Sequence, residues 1–307
     1  MNNEVIKTRS SEPININEPS IEQTPKTKNK KLKNILTFII ILIILFIIYA
    51  RYICPKFINV KEYKIESNII ADSFHGLKII HFSDLHYGTT VDTKQLNKIV
   101  NKINELKPDI IFFTGDLINK NINITAENKN EIIDALKKLN PTLYKYAIYG
   151  DEDYENEYYN EIMNLADFKI LNNESTLLYY EDNIPIEIIG FNIIDSNPNY
   201  TIVTDYIDEL DTSNYYKIVL IHEPDSLDNF INYNPNLILS GHSLGGLIEI
   251  PGFKPLFLNK NSQKYYQDYY KINSTDIYIS NGLGTSNINY RFNNTPSFNL
   301  YRLYKTN

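Results

Sequence analysis

Residues 77–116 constrain the fold more than any other stretch. Leu77-Lys78-Ile79-Ile80-His81-Phe82 is a short apolar run with the length and the Ile/Phe content of a buried strand, broken at Ser83. Residues 92–106 then set Leu96, Ile99, Val100, Ile103 and Leu106 at helical spacing, with Asp92 placed as N-cap and Pro108 closing the end. A second apolar run, Ile110-Ile111-Phe112-Phe113, leads through Thr114 and Gly115 to Asp116. Strand, helix and apolar strand in this order form a parallel pair buried on both faces. The chain is thereby committed to an α/β sheet, and such sheets carry their sites at C-terminal strand ends. Asp84, His86 and Asp116 stand there. In extended backbone, residues i and i+2 share a face, so Asp84 and His86 are expected to converge on one ion.

The same grammar continues downstream. A helix is expected over 131–139, stopped by Asn140-Pro141, and a strand over 144–149 ends in Gly150-Asp151-Glu152-Asp153. A further helix is read at 155–165, and a hairpin joins 175–180 to 184–191 through Glu181-Asp182-Asn183. Apolar runs at 216–221 and 237–239 deliver His222 and Ser240-Gly241-His242. Residues 265–303 alternate short strand-like runs with turns at Asn273-Ser274 and Gly282-Leu283-Gly284. Five strand ends thus finish in side chains that bind metals. The remaining histidines, His75 and His81, read as structural, with His81 the one that could lean toward a metal. Tyr265, Tyr266, Tyr269 and Tyr270 suit a late hairpin as well as a lipid-facing stripe, and Arg291 suits either a phosphate contact or a surface or ion-pair role.

The N-terminal part is of another kind. Residues 1–33 are polar, carry three prolines and close with five lysines and no acid from Lys26 to Lys33, the composition of a disordered tail. From 35 to 50 every residue except Thr37 is apolar or aromatic. Extended by Tyr52 and Ile53, with Arg51 able to snorkel, the run approaches the roughly 20 residues that span a bilayer. No small-residue cleavage site follows Ala50, which argues against a removed signal peptide. An expected organisation follows: tail 1–33, transmembrane anchor 34–53, catalytic-type domain 60–307. Positive charge stays cytoplasmic, so the lysine cluster is expected inside and the domain outside. The tail holds seven basic and four acidic residues, leaving 23 basic against 33 acidic in the remainder. This remainder has a net charge of −10 and repels polyanions, and nucleic acid is not an expected partner. The single cysteine, Cys54, excludes an intrachain disulfide framework.

The ordered blocks Ser83-Asp84-Leu85-His86, Thr114-Gly115-Asp116, Gly150-Asp151-Glu152-Asp153, Ile221-His222-Glu223-Pro224 and Gly241-His242-Ser243-Leu244-Gly245-Gly246 resemble those of the calcineurin-like metallophosphoesterases. The later runs Ile250-Pro251-Gly252-Phe253-Lys254-Pro255-Leu256-Phe257 and Asn281-Gly282-Leu283-Gly284-Thr285 resemble the bacterial membrane-anchored subgroup related to UDP-diacylglucosamine hydrolases. The resemblance covers about residue 60 to the C-terminus. It implies a four-layer αββα sandwich, here preceded by one transmembrane helix, and one or two divalent ions (manganese, iron or zinc) at the strand ends. Carried over by position, Asp84, His86 and the bridging Asp116 would hold one ion, and Asp116, Asp151, His222 and His242 the other.

Three departures qualify what the resemblance implies. Asp151 stands where the family has Asn, which keeps an oxygen ligand and adds a charge. Leu244 replaces a histidine ligand of the ion assigned to Asp84 and His86. Glu152 replaces the family's catalytic histidine, so that Glu152 and Asp116 are the residues expected to carry the chemistry, Glu152 as a retuned acid. The implied activity is hydrolysis of phosphoester or pyrophosphate bonds in a small molecule or lipid at the bilayer. The alternative is a degenerate member that keeps the fold as a binding or scaffolding protein.

Overall fold

The computed structural model describes residues 27–192, 215–229 and 231–307. The expected tail therefore lies, up to residue 26, outside the described residues. The chain divides after Leu45 into two compact units. α1 (Thr27–Ile48) begins in the first unit within the lysine cluster and carries the apolar run, its side chains from Lys30 onward exposed. It is long and apolar enough to cross a membrane.

The second unit is built on two six-stranded sheets. The first contains β1 (Asn59–Ser67), β2 (Lys78–Phe82), β3 (Ile110–Phe113), β4 (Tyr144–Ala147), β5 (Lys169–Ile170) and β12 (Ser297–Lys305), in the order β1-β12-β2-β3-β4-β5. The second contains β6 (Glu174–Leu178), β7 (Ile186–Gly190), β8 (Tyr216–Leu220), β9 (Leu237–Ser240), β10 (Tyr269–Ile272) and β11 (Thr275–Ile279), in the order β10-β11-β9-β8-β7-β6. β2, β3 and β4 run parallel, as do β7, β8, β9 and β11.

Strand alternation explains the layering. Ile79, Ile110 and Phe112 face one core together with Ile188, Leu220 and Leu239, which is the seam between the sheets. Their neighbours Ile80, Ile111 and Phe113 face the opposite way, onto Leu96, Ile99, Val100 and Ile103 of α2 (Thr93–Glu105) and Ile132 and Leu136 of α3 (Ala126–Lys137). α4 (Tyr159–Leu165) completes that helical layer. The outer face of the second sheet, with Val219, Ile238 and Ile277, is covered among the described residues by Leu227, Ile231 and Tyr265.

Local chemistry sets the element ends. The Asp92 carboxylate accepts from the Gln95 amide at 2.7 Å, the cap expected from the sequence. α3 starts five residues before the expected position because Thr125 and Asn128 form a reciprocal capping box. α4 starts later than expected, since turns at 151–155 and 157–158 precede it around Asp153, which accepts from the amides of Asp116, Leu117 and Gly150. The C-terminal β12 inserts between β1 and β2, parallel to one and antiparallel to the other. The expected late hairpin is present as β10–β11, with Tyr269 and Tyr270 in its first strand.

Candidate metal centre

The ends of β2, β3 and β4 in one sheet and β8 and β9 in the other bring six side chains together. Ligand atoms of Asp116, Asp151, His222 and His242 lie within 4.8 Å of one another, and those of Asp84, His86 and Asp116 do likewise. Asp116 belongs to both groups. His222 Nε2 is 3.3 Å from Asp116 Oδ2 and 3.1 Å from Asp151 Oδ1, and His242 Nδ1 is 3.0 Å from the same Asp151 oxygen. On the other side, His86 Nε2 is 3.5 Å from Asp116 Oδ2 and 3.8 Å from Asp84 Oδ1.

Asp84 and His86 converge, but not by the extended geometry expected from their spacing. Both have left-handed backbone, with φ of 52° and 40°, and so do Asp116 (62°) and His242 (63°). Such conformations cost of order 1–3 kcal/mol each in non-glycine residues and persist where surrounding structure enforces them. The enforcement is visible. Gly284 N–H and Leu283 N–H donate to the Asp84 carbonyl, and the His242 amide donates to the Asp84 carboxylate. Gly115 has φ of 91°, and a Cβ there would lie 2.3 Å from the Gly150 nitrogen. That close backbone approach lets the Asp116 and Asp151 loops meet.

Each of the three histidines has one ring nitrogen committed outward and the other turned into the cluster. His222 Nδ1 is 2.5 Å from the Thr114 carbonyl, and His242 Nε2 is 2.6 Å from the Lys260 carbonyl. Both must donate, so in the neutral rings the lone pairs lie on His222 Nε2 and His242 Nδ1, turned toward the carboxylates. His86 Nδ1 is 3.2 Å from Glu152 Oε2, and its inward Nε2 has no hydrogen-bond partner although fully buried. An orphaned buried nitrogen between two aspartates, beside two more prepared imidazoles, is a donor set suited to divalent cations.

Electrostatics point the same way. Asp84 is pushed up by burial and by the charge of Asp116. Burial opposes the charged form of each imidazole, yet Glu152, Asp116 and Asp84 push His86 up to about 9, and Asp116 and Asp151 raise His222 strongly. His242 is raised by Asp151 against the same burial penalty. Without a cation the clustered carboxylates draw protons onto the rings, and a bound divalent ion would take the place of those protons.

The residues singled out beside the cluster resolve clearly. Glu152 is buried, with its Oε2 engaged by the His86 ring and by the Lys120 amide at 2.9 Å, and Lys120 Nζ 3.6 Å from Oε1. Leu244 is buried beside Asp84: a Cβ on Gly282 would lie 2.7 Å from Leu244 Cδ2 and 2.8 Å from Asp84 Cβ. His81 does not lean into that place. It sits in the seam between Thr114 Oγ1 (2.9 Å) and the Tyr301 hydroxyl (3.4 Å), and burial pushes it down to about 3, so the ring is neutral. Arg291 does not lie at the surface. It is wholly buried, and its guanidinium clasps the carbonyls of Asn281, Gly282 and Gly284 that lie under Asp84.

A cleft of about 190 Å³ opens over the cluster, lined by His86, Asp116, Lys120, Asp151, Glu152 and Glu223, with Asn259, Lys260 and Asn261 on its far wall. Sequence reading passed over Glu223, Lys120 and the 259–261 wall. Glu223 directly follows His222, which was a usable signal. Nothing local marks the wall, which is placed by Asn259 Nδ2 donating to the His242 carbonyl.

The calcineurin-like phosphoesterase profile matches residues 77–246, more than half the chain. The chain belongs to this family. It is 34% identical to the uncharacterized metallophosphoesterase YkuE of Bacillus subtilis, across 84% of this chain and 90% of that protein. It is 24% identical to a transmembrane protein with metallophosphoesterase domain of Danio rerio, over 75% of this chain and 53% of the relative. It is also 26% identical to the UDP-2,3-diacylglucosamine pyrophosphatase LpxG of Chlamydia muridarum, over 62% of this chain and 69% of the relative.

Proposed function

We propose that this chain is a membrane-anchored, metal-dependent hydrolase of phosphoester or pyrophosphate bonds, acting on a lipid-linked substrate. The observation that carries the reading is the preparation of His86, His222 and His242, each oriented by an outward hydrogen bond to present its second nitrogen to a shared set of aspartates. Asp116, Asp151, His222 and His242 would hold one ion, and Asp84, His86 and Asp116 a second. Bound divalent ions would neutralise phosphate charge and lower the pKa of an attacking water. The chain's own residues do the rest. The Thr114 and Lys260 carbonyls and the Glu152 carboxylate fix the three rings, and Lys120, at the cleft edge, supplies a cation for a phosphate oxygen.

Glu152 changes role in this reading. Its carboxylate accepts from the His86 ring N–H and from the Lys120 amide, so it serves here as a positioning residue for His86. The apolar α1 supports the anchor, the lysine cluster supports a cytoplasmic N-terminus, and the named substrate of the Chlamydia relative supports a lipid-linked phosphoanhydride. The binding-protein alternative draws on the same two departures, since Glu152 is not free over the cleft and Leu244 cannot ligate.

The test is turnover of bis-nitrophenyl phosphate by the purified full chain in detergent, with manganese, iron or zinc titrated in. Hydrolysis that depends on the ion and disappears in His222→Ala is the expected result. A protein that binds two equivalents by calorimetry yet hydrolyses neither this diester nor a diacylated nucleotide pyrophosphate would leave the binding reading in its place.

A further inference from the structure

The loop 250–257 presents four large apolar side chains to solvent within eight residues: Ile250 40% exposed, Phe253 73%, Leu256 57% and Phe257 44%. Beyond the apolar helix and the segment that follows it, no other eight-residue stretch among the described residues exposes four large apolar side chains, and such a cluster marks a contact surface. The loop cannot fold its apolar residues inward. Pro251 and Pro255 stiffen it, the Phe253 amide closes a turn onto the Ile250 carbonyl, and Pro255 packs where Gly246 leaves room, at 2.2 Å from the position of a Cβ there.

Its position identifies the occupant. The Glu249 amide donates to the Phe292 carbonyl at 3.0 Å, and Ile248 bridges to Phe292. Phe292 in turn packs against Phe46 at 4.7 Å and edge-on against Tyr49 at 6.3 Å, where the chain enters the domain from the apolar helix, and the neighbouring Arg291 amide donates to the Ala50 carbonyl. Tyr52, Ile53 and Phe57 are also exposed at this entry point. Charge agrees: residues 250–266 carry Lys254, Lys260 and Lys264 and no acid, in a domain otherwise strongly negative. Lys264 pairs with Asp228, and Lys254 lies within the loop itself.

We propose that the loop 250–257 is a membrane-docking wedge, with Ile250, Phe253, Leu256 and Phe257 seated in the headgroup region of an anionic bilayer beside the point where the chain leaves it. This rests on the anchored reading above and extends it. Aromatic and aliphatic side chains with flanking lysines are the composition of an interfacial contact. The wedge runs directly into Asn259 and Lys260 of the cleft wall. Seating it brings the cleft mouth to headgroup depth, where the phosphoester of a lipid meets the metal centre without leaving the bilayer.

The chain has no tryptophan, so one introduced residue reports unambiguously. Phe253→Trp, Tyr52→Trp and Tyr179→Trp, each in the full chain, are reconstituted into phosphatidylcholine–phosphatidylglycerol vesicles with brominated acyl chains. Tyr179 is exposed at the opposite end of the parallel strands and serves as the solvent control. The proposal expects at least twofold quenching of Tyr52→Trp and Phe253→Trp and none of Tyr179→Trp. Quenching of Tyr52→Trp alone overturns the wedge and leaves the anchor standing. Quenching of neither Tyr52→Trp nor Phe253→Trp overturns both. A Phe253→Trp signal shielded from bromine, in chains that crosslink to one another, assigns the face to a second copy and overturns the bilayer.

Discussion

The half-site of Asp151, His222 and His242 and the half-site of Asp84 and His86 share Asp116 but are held by different means. In the first, both imidazoles are oriented by backbone carbonyls, of Thr114 and Lys260, and the exposed partner is Asp151, 24% open to the cleft. In the second, one imidazole is oriented by a side chain, Glu152, and the place beside Asp84 is filled by Leu244. Backbone acceptors are fixed by the fold, whereas a carboxylate is one substitution from being lost. The complete half is therefore a property of the two sheets, and the incomplete half depends on a single residue that the family's pattern does not contain.

The largest effect should separate the halves outright. His222→Ala removes a ligand from the complete half and is expected to cost both equivalents of metal and all hydrolysis of the diester. His86→Ala should retain about one equivalent. Elemental analysis after desalting without chelator decides it, and the reverse order would show that the assignment of halves is wrong.

Next in size is the support of His86. Glu152→Ala should weaken the second equivalent by 10–100-fold, the usual loss for an outer partner of a ligating histidine, with the first equivalent unchanged by calorimetry. Glu152→Gln can still accept from the ring N–H through its amide oxygen and should stay within several-fold of the natural chain. If Glu152 were instead the acid of the reaction, Gln and Ala would be equally inactive with metal binding intact.

A third prediction uses pH. In chelator-treated protein His86 is raised above its unfolded value of 6.5 to about 9. A group raised on folding contributes stability that is full below pH 6.5 and is lost as pH rises through 9. The melting temperature of the metal-free protein should fall between these limits, and added metal should flatten the profile, because the ion takes over the role of the protons. A metal-free profile without slope in that window would mean that His86 carries no extra proton.

Much of this comparison was legible in the sequence. The strand ends that deliver Asp84, Asp116, Asp151, His222 and His242 follow apolar runs too short and too β-branched for helices, and Asp92 announced α2. What stayed hidden is non-local or conformational. No local signal puts β12 between β1 and β2, because its alternation of Phe298 and Leu300 with Tyr301 and Leu303 fits any buried strand. The left-handed backbone of Asp84, His86, Asp116 and His242 is imposed by tertiary amide contacts, so spacing alone suggested the right convergence for the wrong reason. Glu152 was visible as a departure, but its partner was not, since 66 residues separate it from His86.

The smallest expected effect tests whether the incomplete half can be completed. Leu244 and Asp84 both lie against Gly282, so an imidazole at position 244 starts beside the second half-site. Its room is limited: Leu244 is buried, its backbone is left-handed, and its carbonyl is held by Asn294 Nδ2 at 2.8 Å. Without metal, Leu244→His places an unpartnered polar ring in that space and should destabilise the protein by about 1–3 kcal/mol. With metal, the ring gains a ligand bond and the loss should be recovered, with the second equivalent bound up to about tenfold more tightly, near 1.4 kcal/mol. The combination of lower metal-free stability and tighter binding is the diagnostic, because a histidine turned away from the cluster would not tighten binding. A variant destabilised both with and without the ion would place Leu244 out of reach of the cluster and make the three-residue half a finished site in its own right.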